Sequence, residues 1–461
     1  MTTGDATREV PDPVSDAAWS RTPLSDRVVW LRGFRLRLFD AMDRFCELIG
    51  EEIGKPEHEV VTGDLLPLLA SCKWYERHAR RLLRPRRPLG QPIWMLGQRH
   101  RVIRQPLGHV GIIATWNYPA QLLGIQLVQA LIAGNRVTVK PSERSPRTQA
   151  LLLELAAQGL PEGTLQTLPA TREAGEQMLG QHRFDHVVFT GSTEVGRAIA
   201  QSLARSLTPS TLELSGRDTV FVLDDADVEL AAERIWNLVE MNCGQTCMAP
   251  RRVLADASIF DHLTEALRAI TPESSRAMID EQASRRVSVL ASEAEQSGAE
   301  LIPPLDGDDA QRVAARIVIG ADPDAEVVAG DHFGPLCAVV RCATEDEMLR
   351  IHRDCTQHLA TSVFTASRSR LESLARRIAS STIVHNDVVL PTAHPGVSIQ
   401  GHHDSGWGAS RGEAGLLAMT RAVHLSSVPK RLRAPAGTPT PKQLDQLRRG
   451  LKWLYGRGRR P

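Results

Sequence analysis

Short apolar runs of β type alternate with helical stretches through the middle of this chain, and no other feature narrows its fold as far. Val110 to Ala114 reads as a strand, Leu122 to Ala133 as a helix, Arg136 to Lys140 as a strand and Arg147 to Gln158 as a helix, with Gly134-Asn135 as the turn. The alternation continues through Leu165 to Leu168, Glu173 to Leu179, His186 to Thr190, Glu194 to Ser206 and Thr211 to Leu214. Repeated strand-helix-strand order predicts a parallel, doubly wound α/β sheet whose ligands bind at the carboxyl ends of its strands. A second α/β unit is expected from about Gly216 to Pro391, its first helix, Val228 to Met241, leading into a cysteine loop.

Ahead of this block, apolar residues recur at helical spacing from Asp26 to about Leu83, so two or three long helices lead in. Arg84-Pro85-Arg86-Arg87-Pro88 breaks the pattern, and the run from there to Gln105 is expected to leave as an extended arm. Beyond Lys430 the chain turns basic and proline-rich, and Leu444, Leu447, Leu451 and Leu454 then mark one face of a short helix. Subunit packing or a solvated face is the expectation for it, ahead of an anionic membrane surface. With 461 residues and a formal net charge of +1, the chain has core enough for more than one domain and no charge excess to attract nucleic acid. Met1 to Ser20 shows neither a secretory signal nor a transit pattern, and the longest apolar run, Leu122 to Ala133, is too short to span a bilayer. A cytoplasmic protein without an integral membrane segment is expected. Cys46, Cys72, Cys243, Cys247, Cys337, Cys342 and Cys355 lack zinc-type spacing, so reduced thiols and no bound metal are expected, and Gly401-His402-His403-Asp404 reads as loop.

Asn242-Cys243-Gly244-Gln245-Thr246-Cys247-Met248-Ala249-Pro250 sets a cysteine among small, turn-forming residues, where a thiol is accessible as a core cysteine is not. Cys247 is the candidate nucleophile, a thiolate being the strongest that the common side chains offer near neutral pH. A packed free cysteine is the alternative, and Cys243 is read in that way. Asn117, in Thr115-Trp116-Asn117-Tyr118-Pro119 at a strand's end, either caps the following helix or holds a developing oxyanion through its amide. Glu213, flanked by Leu212 and Leu214, is either a strand-end carboxylate in an ion pair or a general base whose pKa burial raises. Phe189-Thr190-Gly191-Ser192-Thr193-Glu194-Val195-Gly196 follows a strand and opens a helix, so its N–H groups can meet a phosphate, or simply be capped.

In this order the four stretches resemble the aldehyde dehydrogenase superfamily, from Glu51-Glu52-Ile53-Gly54-Lys55-Pro56 through Asp331-His332-Phe333-Gly334-Pro335 to Ser405-Gly406-Trp407-Gly408. The cysteine motif, His385-Asn386-Asp387-Val388 and Leu207-Thr208-Pro209 are most similar to the class 3 and coniferyl aldehyde dehydrogenase branch, which is commonly dimeric. The resemblance implies a Rossmann-type parallel-sheet NAD(P)-binding domain (1–84 and 106–212) and an α/β catalytic domain with the nucleophilic cysteine (213–396). It also implies an oligomerisation arm and C-terminal tail (85–105 and 425–461) and a return segment lining the active site (397–424). The implied reaction is NAD(P)-dependent oxidation of an aldehyde to a carboxylic acid through a cysteine thiohemiacetal and thioester. In it Cys247 attacks, Asn117 and the Cys247 N–H hold the oxyanion, and Glu213 activates the hydrolytic water. Trp116, Lys140, Glu143, Gly191, Ser192, Asp331 and Phe333 are the implied contacts to NAD or NADP, Glu143 favouring NAD by repelling a ribose phosphate. A homodimer is implied as well.

Three departures stand out. Asp331 replaces the family's Glu, Ser215 and Arg217 replace its Gly and Lys after Glu213, and Ser398-Ile399-Gln400-Gly401 replaces Pro-Phe-Gly-Gly. They motivate one alternative, a binding or assembly subunit that has lost redox turnover. Ester or thioester hydrolysis by the same cysteine without nucleotide is another.

Overall fold

The structure, a computed structural model, describes residues 18–270, 272, 275–305, 312–388, 393–430 and 437–456. The polar run up to residue 17, the end of the second α/β unit at 389–392 and part of the basic stretch 431–441 lie outside the described residues.

The alternation read from the sequence is realised as two sheets. One has the order Gly406–Trp407, Ser210–Glu213, His186–Thr190, His109–Ile113, Arg136–Lys140, Leu165–Thr167, and is parallel apart from the edge strand Gly406–Trp407. From His109–Ile113 the chain winds outward to Leu165–Thr167, then crosses back to build the other half. The winding therefore reverses between His109–Ile113 and His186–Thr190, which leaves a crevice beyond the carboxyl ends of the strands. Those ends are Ile113, Lys140, Thr190 and Glu213, and the candidate residues Trp116, Asn117, Glu143, Gly191 and Ser192 follow them closely.

The other sheet has seven strands in the order Glu300–Ile302, Arg316–Ile319, Leu336–Cys342, Pro250–Asp256, Asp218–Val222, Ala360–Phe364, Thr382–His385. Only Glu300–Ile302 pairs antiparallel. Its central strands are buried along nearly their whole length, as strands covered on both faces must be.

Helix Gln121–Ala133 is buried at every position because it is largely apolar and its Gln126 and Gln129 donate to the hydroxyls of Thr190 and Tyr75, and it shares one core with Trp30, Phe34 and Leu38 and with Leu68, Cys72 and Tyr75 of the lead-in helices. Gly134 ends it at φ 99°, a conformation side chains rarely adopt. The lead-in helices are Leu24–Asp40, Met42–Ile53 and Leu66–Leu83, and a π-helical turn, Val60–Leu65, directs Asp64 into the interior.

Two local expectations are corrected. His402–His403 is not loop but a short strand antiparallel to Gln357–His358, because a partner backbone supplies ladder bonds that the local sequence does not announce. The helix ahead of the cysteine stops at Glu240, and Met241–Gly244 forms a tight turn in which Asn242, Cys243 and Gly244 take φ of 52°, 52° and 65°.

The chain divides into two compact units, the larger holding the residues up to Arg84 with Arg104–Arg421, the smaller Pro85–Ile103 with the chain from Ala422. In the smaller, Trp94 Nε1 donates to the Tyr455 hydroxyl at 3.0 Å and helix Pro441–Tyr455 buries none of its residues. Among the described residues no helix is long and apolar enough to cross a membrane, and no group of three or more His, Cys, Asp or Glu is disposed to hold a metal. None of the seven cysteines is in a disulfide.

Candidate active site

Asn117, Glu213 and Cys247 meet at one cavity of about 990 Å³ in the larger unit, and Trp116, Gly191, Ser192, Asp331 and Phe333 line it as well. Lys140 and Glu143 do not. They pair with each other at the end of their strand, while the neighbouring Arg144 reaches the cavity.

The cysteine loop owes its shape to distant residues. The Asn242 N–H donates to Glu59 Oε2 at 2.9 Å, and the Asn242 side chain donates to the carbonyls of Asn117 and Gln245, both at 3.0 Å. The Gln245 side chain accepts from the Ile279 N–H at 2.9 Å. Left-handed backbone at non-glycine residues costs on the order of 1–3 kcal/mol each and persists only where the surroundings over-determine it. These bonds do so for Asn242 and Cys243. Cys243 is buried and packed, whereas Cys247 keeps partial contact with the cavity.

The structure leaves Cys247 in contact with the cavity, but the setting does not favour its thiolate. Burial pushes its thiol up to about 12, with the Asp218 and Glu213 carboxylates adding to the rise and Arg411 and its own backbone N–H opposing it. Asp218 is itself pushed up to about 8 by burial, although its Oδ1 accepts from the Ala360 N–H at 3.0 Å and the Leu359 N–H at 3.3 Å. The resting cysteine is therefore a thiol, and it needs a base or an arriving charge to become a nucleophile.

Asn117 does not cap the helix that follows it. That role falls to Asp64, whose Oδ1 accepts from the N–H groups of Ala120 at 3.1 Å and Gln121 at 3.2 Å. The amide of Asn117 is thereby released to the cavity wall, where Nδ2 donates one proton to the Gln245 carbonyl at 3.1 Å and keeps the other. Lys55, wholly buried, donates to Asp64 Oδ2 at 2.7 Å and to the Asn117 carbonyl at 2.8 Å, and sits 3.8 Å from the centre of the Tyr118 ring. Tyr118 in turn bonds the Thr246 hydroxyl at 2.7 Å.

Glu213 is raised by burial, with a hydrogen bond to Ser410 and the Arg411 guanidinium pulling the other way. Its Oε1 has no protein partner among the described residues. A carboxyl so placed is half-committed and can take a proton from a water.

The dinucleotide side combines a local cap with remote bonds. Ser192 caps helix Thr193–Ala204, accepting from the Val195 N–H at 3.4 Å, and this leaves the start of a twelve-residue helix at the cavity. Gly191 has no room for a side chain against the Phe189 ring, so its backbone lies bare. Asp331 accepts from Gln357 Nε2 at 3.4 Å, and the same nitrogen donates to Thr193 Oγ1 at 3.0 Å. The bare Gly191 backbone, the helix start and the Asp331 carboxylate suit a dinucleotide, whose phosphates take helix N–H groups and whose ribose takes a carboxylate. Phe333 meets Trp116 edge to face at 6.0 Å and completes an aromatic wall.

Lys55, Asp64, Glu59 and Arg251 were not identified from the sequence as site residues. A signal existed, since charged side chains at core-facing positions of apolar stretches are almost never buried unless they are paired.

A sequence profile described as the aldehyde dehydrogenase family matches residues 6–425. The chain is 31% identical over 432 residues to a 4,4'-diapolycopene aldehyde oxidase of Methylomonas, covering 90% of this chain and 80% of that protein. It is 29% identical over 428 residues to a probable coniferyl aldehyde dehydrogenase of Pseudomonas aeruginosa, covering 90% and 89%. Among solved structures, the NAD-dependent aldehyde dehydrogenase of Sinorhizobium meliloti superposes with a TM-score of 0.84 at 26% identity, covering 91% of this chain and 85% of that one. The Mycobacterium tuberculosis aldehyde dehydrogenase complexed with NAD+ gives 0.82 at 26% identity, covering 92% and 89%.

Proposed function

The chain belongs to the aldehyde dehydrogenase family and is an NAD(P)-dependent aldehyde dehydrogenase, and on that premise we propose that Cys247, Asn117 and Glu213 carry its chemistry. The observation that carries the proposal is the convergence of these three residues on one cavity with the aromatic wall and the bare helix start. Cys247 Sγ adds to the aldehyde carbon to form a thiohemiacetal. Its proton passes to the nearby Glu213 carboxylate as the attack proceeds, because the resting form is the thiol, and Glu213 gives that proton up to solvent before the hydrolytic step. The free Nδ2 proton of Asn117 and the Cys247 N–H hold the oxyanion, and Lys55 fixes the Asn117 backbone so that the amide arrives already oriented. When bound, the dinucleotide supplies the oxidant that turns the thiohemiacetal into a thioester. Glu213 then takes the proton of a water through its unpartnered Oε1, and that water releases the carboxylic acid.

Trp116, Gly191, Ser192, Asp331 and Phe333 are the residues proposed to hold the dinucleotide. Lys140 and Glu143, which do not line the cavity, are proposed to meet the adenosine end as an ion pair beside it, whose carboxylate disfavours a ribose phosphate. The proposed dinucleotide-binding half, 1–84 and 106–212, and catalytic half, 213–396, are supported by the two sheets, whose strands fall at 109–213 and 218–385 apart from the edge strand of the return segment 397–424. The rest of the wall includes Pro67, Tyr118, Leu122, Met241 and Ile399, which suits an aldehyde with an apolar body. The segments 85–105 and 425–461 are proposed to join two copies into a homodimer. The exposed Leu89, Ile93, Trp94 and Leu96 of the first segment and Leu444, Leu447 and Leu451 of the second support this. A cytoplasmic setting is supported by seven cysteines none of which is in a disulfide.

The test is formation of reduced cofactor from a panel of aliphatic, aromatic and polyene aldehydes, with Cys247→Ala as control. Turnover lost in that variant is expected, and turnover retained would overturn the assignment.

A further inference from the structure

Arg251 is the second residue of the strand Pro250–Asp256 and is only 1% exposed. Its Nη1 donates to the Gly334 carbonyl at 2.7 Å, and its Nη2 donates to the carbonyls of Gly244 at 2.8 Å and Thr246 at 3.1 Å. Gly334 follows Phe333 of the cavity wall, while Gly244 and Thr246 lead into Cys247. A planar guanidinium fork presents its donors in fixed directions, so these three carbonyls are held in one geometry. The cation also lies 5.6 Å from the centre of the Phe333 ring. Burial lowers Arg251 to about 10, which still leaves it charged at neutral pH.

The backbones of the two loops touch as well. A Cβ added to Gly244 would overlap the Gly334 carbonyl and the Pro335 nitrogen, and one added to Gly334 would overlap Val287 and Met278 from the other side. Gly334 is thus pinned between the cysteine loop and helix Glu281–Gln296 with the residues before it. The backbone after Phe333 and the cysteine loop therefore abut with no space for a side chain between them.

We propose that Arg251 is a positioning residue that couples the cofactor wall at Phe333 to the nucleophile, so that occupation of the wall fixes the carbonyls that set the place of Cys247. The proposal rests on the reading of Cys247, Asp331 and Phe333 given above. An arginine that merely stabilises the fold would leave the reactivity of the thiol indifferent to the cofactor. A coupling arginine makes it respond.

The experiment is alkylation of Cys247 by iodoacetamide, followed by peptide mass spectrometry, with and without saturating ADP-ribose, in the full chain and in Arg251→Met and Arg251→Lys. ADP-ribose carries both riboses but no nicotinamide ring, so a change in rate is not shielding of the thiol. Calorimetry establishes binding of ADP-ribose, and thermal unfolding records stability. A several-fold change in alkylation rate on binding is expected in the unsubstituted protein, lost in Arg251→Met while ADP-ribose still binds, and partly restored in Arg251→Lys. An unchanged response in Arg251→Met, whatever its stability, overturns the proposal, as does an unsubstituted protein whose thiol ignores bound ADP-ribose. If Arg251→Met does not fold, Arg251→Lys decides, because a full response there overturns the proposal and a reduced one supports it. Turnover surviving in Cys247→Ala would instead strike the site assignment, and it is read in a separate assay.

Discussion

Asn117 is held in place from Lys55 on one side and Gln245 on the other, whereas Ser192 is engaged by Val195 and Lys140 by Glu143. The contacts of Asn117 and Asn242 thus join segments up to 183 residues apart, as in the bond from Asn242 to Glu59, while those of Ser192 and Lys140 join neighbours in sequence, although Thr193 beside Ser192 is held from Gln357 and Asp404. Remote bonding makes a site cooperative, because one lost partner leaves several buried groups unsatisfied. Local bonding makes it graded, since each substitution disturbs little beyond its own turn. Damage to the chemical face should therefore appear in stability and turnover together, and damage to the dinucleotide face chiefly in cofactor affinity.

The largest effects should come from the reacting groups themselves. Glu213→Gln is expected to lower steady-state turnover by about 10²–10⁴-fold, the range of a lost general base, and Asn117→Ala by about 10²–10³-fold. Both follow from initial rates at saturating aldehyde and cofactor. A loss confined to KM would erase the distinction between the faces.

Next comes a residue that touches no reacting atom. Lys55→Met leaves the Asp64 carboxylate buried without its cation, and breaking such a pair destabilises by roughly 3–5 kcal/mol. Urea unfolding reads this directly, and turnover should fall with it because Asp64 caps the helix after Asn117. The corresponding change on the other face, Lys140→Met, removes a pair whose Glu143 is 44% exposed, so a loss below about 1 kcal/mol is expected, with cofactor affinity altered instead. Equal losses in the two variants would refute the contrast.

A smaller effect separates the charges around the thiol. Asp218 is protonated and neutral below about 8 and ionises above it, where its charge raises the thiol of Cys247 further. Alkylation of Cys247 should rise with pH toward about 12. Asp218→Asn should match the unsubstituted protein at pH 6–7 and react a few-fold faster at pH 9–10. Identical profiles across that range would show that Asp218 does not act on the sulfur.

The contrast between faces also explains how much could be read in advance. Strand ends and helix starts were legible, because the alternation from Val110 to Leu214 encodes the sheet and its carboxyl edge, and because Gly191-Ser192 opens its helix by local capping. The role of Asp64 as the distant cap that releases Asn117 was not, since nothing local ties a π-helical turn to Ala120 and Gln121. Nor was the left-handed turn at Asn242 and Cys243, which is held by the bonds of Asn242 to Glu59 and the Asn117 carbonyl. The thiol expected from small neighbours to be accessible does line the cavity, but its pKa is raised rather than lowered, because the segments packed around it desolvate the sulfur and the nearby carboxylates oppose its charge.

The measurement that bears most directly on the account is intact-protein and peptide mass spectrometry of Glu213→Gln after prolonged incubation with an aldehyde and oxidised cofactor. With the water-activating carboxylate gone, the acyl group should remain on the sulfur, giving a mass increase equal to that group, located on Cys247. An unmodified chain, or an adduct on any other residue, would contradict the assignment of nucleophile and base together.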